Sequence, residues 1–401
     1  MLSVEEARAR ILAPLRPTTP EVVALAEAWQ RVTAAPAVAR LTQPPAALSA
    51  MDGYAVRGTD AKEGARLRVV GAAPAGHPWR GTLGPGEALR LFTGSVMPDG
   101  ADAVLIQENA SAEGDTITVN SAVAAGGHVR RRGQDFAEGE VVVPADRRLT
   151  ARQVGLLAAA NHPWVVVHRR PRVAILSTGD ELALPGEPIG PGGIVSSNSH
   201  ALAAVVRACG GDAVVLPVAK DDAAALAGAA EAARGMDLFV TSGGASVGTH
   251  DLVQSALAPA GLRVDFWKIA MRPGKPLLFG SLGGVPLLGL PGNPVSSLVC
   301  ALLFLWPALE RLSGLPATGA PVTRATLAAP LRANDARADH LRGTLDEAPD
   351  GTLRVTAFPR QDSALLRLLA DAEALILRPP HAPAASAGED VKVIRLDRLG
   401  L

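Results

Sequence analysis

Cysteine and aromatic residues are scarce in this chain. Only two cysteines, Cys209 and Cys300, stand among 401 residues, both in apolar surroundings. They have no metal-ligand spacing, and two cysteines cannot make a disulfide framework, so a reducing, cytoplasmic setting is expected. Aromatics make up 3%, too few for a platform that stacks the bases of single-stranded nucleic acid. Excess charge is absent too: thirty-nine basic residues balance thirty-nine acidic ones. That balance gives no reason to expect nucleic acid or an anionic membrane as partner, so any anion site must be local. The most apolar run, Val295 to Leu309, is interrupted by Ser296, Ser297 and Pro307. At about fifteen residues it is short for a membrane span and reads as a buried helix. No signal-peptide pattern opens the chain. Ser3-Val4-Glu5-Glu6 reads instead as a capping box starting an amphipathic helix.

Hydrophobic residues make up 48% and charged ones 19%, the balance of an ordinary globular protein. The length exceeds what one core serves and points to two to four domains. The first forty residues read as helical, with Thr19-Pro20 opening a second helix that carries Val22, Leu25, Ala26 and Trp29 on one face. Short β-rich runs then alternate with Gly and Pro turns: Leu67–Val70, Ala103–Gln107, Thr116–Val119 and Glu140–Val143. A second capping box, Thr150-Ala151-Arg152-Gln153, starts a short helix ending near Asn161. From Pro171 strands and helices alternate, as in a mainly parallel sheet covered on both faces. The segment after Pro316 is β-rich and reads as a small barrel. The expected fold is therefore multidomain α/β plus β. Residues 1–42 and 145–170 form a helical linker domain and 43–144 an inserted β domain. Residues 171–315 form a three-layer α/β domain and 316–401 a C-terminal β-barrel.

Ligands of open α/β sheets sit beyond the carboxyl ends of the strands, so the loops after Ser177, Thr241 and Leu290 are the places to search. Thr241–Gly248 is glycine-rich and can cradle an anion on successive N–H groups, though it is neither a Walker A nor a GxGxxG sequence. It reads equally as a tight turn. Leu290–Ser296 runs into an apolar helix, with Pro294 in the first turn and free N–H groups beside it; the bland reading is a helix start. Trp267–Pro276 holds two of the five lysines, Lys268 and Lys275; the others are Lys62, Lys220 and Lys392. In a chain that nearly always uses arginine, that clustering suits a phosphate or tetrahedral oxyanion, or else a solvated turn. Carboxylates recur in loops, at Asp52, Asp135, Asp180, Glu181, Asp221, Asp222 and Asp251. Beside phosphate cradles they suggest Mg²⁺ held partly by water and substrate oxygens. Taken singly, each also reads as a cap or a surface charge.

In combination these motifs resemble the molybdopterin molybdenumtransferase family, the bacterial counterpart of the gephyrin E domain. The resemblance runs through Ser49–Val56, Thr93-Gly94, Met97-Pro98, Arg132–Asp135, Ser177–Leu182, Ser196–Ser199, Thr241–Gly248, Met271–Pro276 and Leu290–Ser296. It implies a homodimer with four domains per chain. It also implies a reaction in which adenylylated molybdopterin is hydrolysed with a divalent metal, molybdate is placed on the dithiolene and AMP leaves. Catalytic roles are implied for Asp52, Thr93, Asp135, Glu181, Asp221 and Asp251, with Glu181, Asp221 and Asp251 as ligands of Mg²⁺ or another divalent cation. The pterin nucleotide is expected on Ser242, Gly243, Gly244, Ser246, Gly248, Lys268, Pro291, Asn293 and Pro294. Molybdate is expected on Arg272, Lys275, Ser296, Arg342 and Ser363. A transient contact with the molybdopterin adenylyltransferase is implied as well. Several positions differ from the family's usual pattern: Arg272 replaces a lysine, Gln134 a glutamate, and Asp362 a glycine between Gln361 and Ser363, while the stretch from Ala336 to Gly343 lacks the expected glycine at its start and an aromatic near His340. Two other functions fit parts of the chain: the adenylyltransferase one step earlier, and a non-catalytic gephyrin-like anchor. The first needs neither the β insertion with Asp52 and Thr93 nor the terminal barrel, and metal-dependent AMP release separates the second.

Overall fold

Ser3 caps the first helix, Val4–Leu12: its hydroxyl accepts the Glu6 N–H while the Glu6 carboxylate accepts the Ser3 N–H. Val4, Ala7 and Ile11, spaced one helical turn apart, are the buried face. The computed structural model describes residues 1–220, 223–243, 257–259 and 261–400. The second expected helix does not form. Pro20–Ala24 is a strand, paired antiparallel with Trp164–His168, and Leu25–Glu27 makes a single 3₁₀ turn. Helical spacing of apolar residues is compatible with a strand when the run is short. The β-branched Val22 and Val23 find a partner in Val165–Val167, and pairing decides. The linker region is thus only partly helical. Its second helix, Ala151–Ala159, starts at the expected Thr150–Gln153 capping box.

The insertion forms a six-stranded sheet, in the order 103–106, 53–56, 87–91, 66–73, 116–119, 110–113. Val141–Val143, expected within this domain, pairs instead with Ala37–Val38 in the linker region.

The α/β domain has a six-stranded mixed sheet, in the order 212–215, 172–177, 238–242, 285–290, 278–282, 262–267. Its first four strands are parallel; the last two add an antiparallel edge. Alternation along the central strand fills both faces. Val173 and Ile175 join the core with Leu202, Val205 and Val206 of helix Asn198–Ala208, while Ala174 and Leu176 pack on the other side with Phe239 and Leu287. The long apolar helix is Pro294–Leu312. Among the described residues it is the one helix long and apolar enough to cross a membrane, but it is mostly buried in the core.

Residues 322–395 close a five-stranded barrel: 338–347 pairs with both 353–357 and 374–378, and 322–327 with 390–395 completes the circuit. Met271–Arg272 leaves the α/β domain and adds itself in parallel to Ala338-Asp339 at the barrel's edge. That pairing brings the cationic segment near the barrel.

Candidate active site

Beyond the carboxyl ends of the parallel strands lies a cavity of about 770 Å³, with Ser177, Thr178 and Glu181 on one wall and Ser242, Asn293 and Ser296 on others. Two glycines make its walls possible. Gly243 has φ +98, and a Cβ there would stand 2.4 Å from the Thr178 carbonyl oxygen. Gly179 has φ +150, and a Cβ would meet the Glu181 carboxylate at 2.6 Å. At Gly243 only glycine lets two loops come so close, and at Gly179 it is the positive φ that favours glycine. Among the described residues the buried hydroxyls of Ser177 and Thr178 have no hydrogen-bond partner. Buried polar groups without a partner are costly and call for a ligand or water.

Of the residues expected to bind the pterin nucleotide, Ser242, Gly243, Pro291, Asn293 and Pro294 all line this cavity. Gly244, Ser246 and Gly248 lie outside the described residues, as do Asp221 and Asp251. Glu181 is exposed at the cavity. The exposed Glu181 carboxylate is a hard oxygen donor, which suits a divalent cation completed by water and phosphate oxygens.

Lys268 has φ +83, and its ammonium lies 3.6 Å from the centre of the Trp267 ring. It is not part of the cavity lining. Lys275 is exposed, and Pro276, next in the chain, lines the cavity. Among the described residues Lys275 has no ion-pair partner. Arg272 has: two bonds of 2.6 Å join its guanidinium to Asp339, and Asp335 stands 3.4 Å away. Those carboxylates raise its pKa further. Arg272 is therefore first a strut between the α/β domain and the barrel, with part of its side chain still in solvent.

Arg342, expected to face the oxyanion, is buried at 1% exposure. Its guanidinium donates to the carbonyls of Asp362 at 2.9 Å and Leu365 at 3.2 Å. The Gln361 side chain bonds the Arg342 backbone at both N–H and C=O. Arg342 thus ties down the loop 361–365 and does not line the cavity. Ser363 on that loop does face the α/β domain. It accepts a hydrogen bond from the Asn293 amide at 3.0 Å, and its carbonyl accepts the Val295 N–H at 3.1 Å.

The inserted domain contributes nothing to the cavity lining within one chain. Asp52 there is gripped by Thr93, whose N–H and hydroxyl both donate to one carboxylate oxygen, at 2.7 and 2.8 Å. These bonds hold the Asp52 pKa below the usual carboxylate value. Arg90 sits beside them, over the rings of Tyr54 and Phe92. Asp135 is exposed on a loop tied to Gln43 by backbone bonds. Sequence reasoning gave no individual role to Asn198, Ser177 or Thr178, which line the cavity. The polar run Ser196-Ser197-Asn198-Ser199 ahead of a helix was the available signal.

This arrangement has close relatives. Three family models match in chain order: the MoeA N-terminal region (domain I and II) at residues 2–161, a probable molybdopterin binding domain at 174–311, and the MoeA C-terminal region (domain IV) at 324–396. The molybdopterin molybdenumtransferase of Nostoc sp. is 38% identical over 94% of this chain and 88% of its own. That of Haemophilus influenzae is 34% identical over 98% of both. The chain belongs to the MoeA family. A crystal structure of the molybdopterin biosynthesis MoeA protein of Pyrococcus horikoshii superposes with a TM-score of 0.85 at 28% identity, covering 98% of this chain and 99% of that one. The match over the whole length gives this MoeA chain the β insertion and the barrel together. A free-standing adenylyltransferase would need neither.

Proposed function

We propose that this MoeA-family chain takes adenylylated molybdopterin, cleaves its pyrophosphate link, and places molybdate on the dithiolene with release of AMP. The observation that carries the reading is the cavity at the strand ends. Glycine-built loops, a free carboxylate and unpartnered hydroxyls meet there. The glycine loops and the Asn293 amide offer donors to phosphate oxygens. Glu181, with Asp221 and Asp251, is assigned to hold a Mg²⁺ ion, which would offset charge on the phosphate oxygens when bound. Glu181 also orients the attacking water. Molybdate is assigned to Lys275, Ser296 and Ser363, with the exposed part of Arg272 beside them and Arg342 acting only through the loop it pins. Lys268, whose ammonium lies over the Trp267 ring, is assigned to the nucleotide's phosphate.

Asp52, Thr93 and Asp135 act in this reading from a second copy. An exposed apolar face supports a homodimer: Val22, Trp164 and Val166 on one paired ribbon, with Val38 and Val141 on the neighbouring one. Such a face on a monomer is costly to leave in water. Asp52, held ionised by Thr93, would then reach a cavity that its own chain does not share with it. Two free, buried cysteines suit the cytoplasm, and a transient contact with the adenylyltransferase would deliver the substrate. Incubation with adenylylated molybdopterin, molybdate and Mg²⁺, following AMP and active cofactor together, tests the reading. Failure of both products to appear would overturn it.

A further inference from the structure

The cavity is walled by loops that come from different strands, and its shape depends on what holds them at a fixed spacing. The loops after strands Leu238–Ser242 and Val285–Leu290 meet through glycines. A Cβ built on Gly292 would lie 3.5 Å from the Gly243 Cα, so the contact is backbone on backbone. A third element supplies the tie. Asn198 opens helix Asn198–Ala208, and its amide nitrogen donates to the Ser242 hydroxyl at 2.8 Å and to the Gly292 carbonyl at 2.7 Å. A carboxamide nitrogen has two protons, and both are committed. The Ser242 hydroxyl in turn lies 3.4 Å from the Pro291 carbonyl.

We infer that Asn198 is a positioning residue for the nucleotide end of the substrate, acting through Ser242, Gly243 and Gly292. This rests on the reading of the cavity as the site of adenylylated molybdopterin. All three held residues and Asn198 itself line the cavity. Asn198 is half-buried and belongs to none of the hydrophobic cores. Its loss therefore acts on the site's geometry more than on the fold. Alanine removes both donated bonds. Aspartate removes them too, and sets a negative charge where a phosphate must bind.

The test uses the full chain as Asn198→Ala and Asn198→Asp. AMP affinity is measured by calorimetry, and KM, kcat and half-saturating molybdate by cofactor formation. In Asn198→Ala, AMP affinity and KM for the pterin nucleotide should weaken about tenfold, the usual effect of one or two neutral hydrogen bonds. Half-saturating molybdate and the melting temperature should stay near wild type. Asn198→Asp should bind AMP more weakly than the alanine variant. Ser242→Ala should add little to Asn198→Ala, since both break the same tie. Wild-type AMP affinity in both variants would overturn the inference, as would a large fall in melting temperature with binding intact. A wild-type chain that neither binds AMP nor releases it would instead sink the reading of the cavity.

Discussion

Arg342→Met separates a ligand from a pin. The Arg342 guanidinium is closed off from solvent and donates to two loop carbonyls, at 2.9 and 3.2 Å. A hydrogen bond to a charged group contributes about 1.5–3 kcal/mol. Taking the arginine out of water offsets several kcal/mol of that. Methionine fills part of the space and leaves two carbonyls on a loop that can rehydrate. Two such bonds less that penalty leave a net loss of about 1–3 kcal/mol in the barrel. The loop 361–365 then loosens, and Ser363 loses its fixed place against Asn293 and Val295. Molybdate should feel this only as the weakening of one neutral hydrogen bond, about 2- to 10-fold in the half-saturating concentration. A lost charged ligand would cost roughly 10- to 100-fold. The assay is cofactor formation across a molybdate series for Arg342→Met, Ser363→Ala and the double variant, with denaturant unfolding alongside. The double variant should be little worse than Arg342→Met alone. A hundredfold rise in the molybdate requirement, additive with Ser363→Ala and at wild-type stability, would refute the pin.

Glu181→Gln should still bind AMP but release it from substrate slower by orders of magnitude, each tenfold being about 1.4 kcal/mol of barrier; normal single-turnover AMP release would remove Glu181 from the mechanism. Lys275→Ala should raise the molybdate needed for cofactor formation, with excess molybdate restoring the rate and pterin nucleotide binding little changed; an unchanged molybdate dependence counts against the assignment. Asp52 is held ionised by Thr93, so its contribution is present above the ordinary carboxylate pKa and fades as pH falls through its depressed one. Thr93→Val keeps the N–H bond but removes the hydroxyl, so the acid limb of the pH–rate profile should move to higher pH. An unmoved limb would contradict an ionised Asp52 at the site. Co-expressing Asp52→Ala with Glu181→Ala chains should restore part of the activity, because one mixed site stays whole; verified heterodimers without activity would argue against shared sites.

Local chemistry was legible along the chain. Both capping boxes opened helices where Ser3 and Thr150 stand, since a cap needs only residues within one turn. The buried strands Arg172–Ser177 and Leu238–Ser242 announced themselves as apolar runs ending in polar loops. Pro20–Ala24 was misread because a five-residue run carries too little period to tell helix from strand, and its partner lies more than a hundred residues away. The partner of Val141–Val143, Ala37–Val38, was hidden for the same reason.

Charged side chains show the limit most clearly. The sequence alone determined that cations cluster at Lys268, Arg272 and Lys275, that glycine loops follow the strands, and that carboxylates sit in loops. Those are matters of residue type and local spacing. Only the tertiary structure decided what each charge does. Arg272 meets Asp339 because a two-residue strand docks on the barrel. Arg342 meets the carbonyls of Asp362 and Leu365 because the loop 361–365 folds back over its strand. Asn198 ties two loops because helix and strands converge at one end of the sheet. A side chain's partner is set by which segments the fold brings within about 3 Å, and hydrogen bonds fall away beyond that reach.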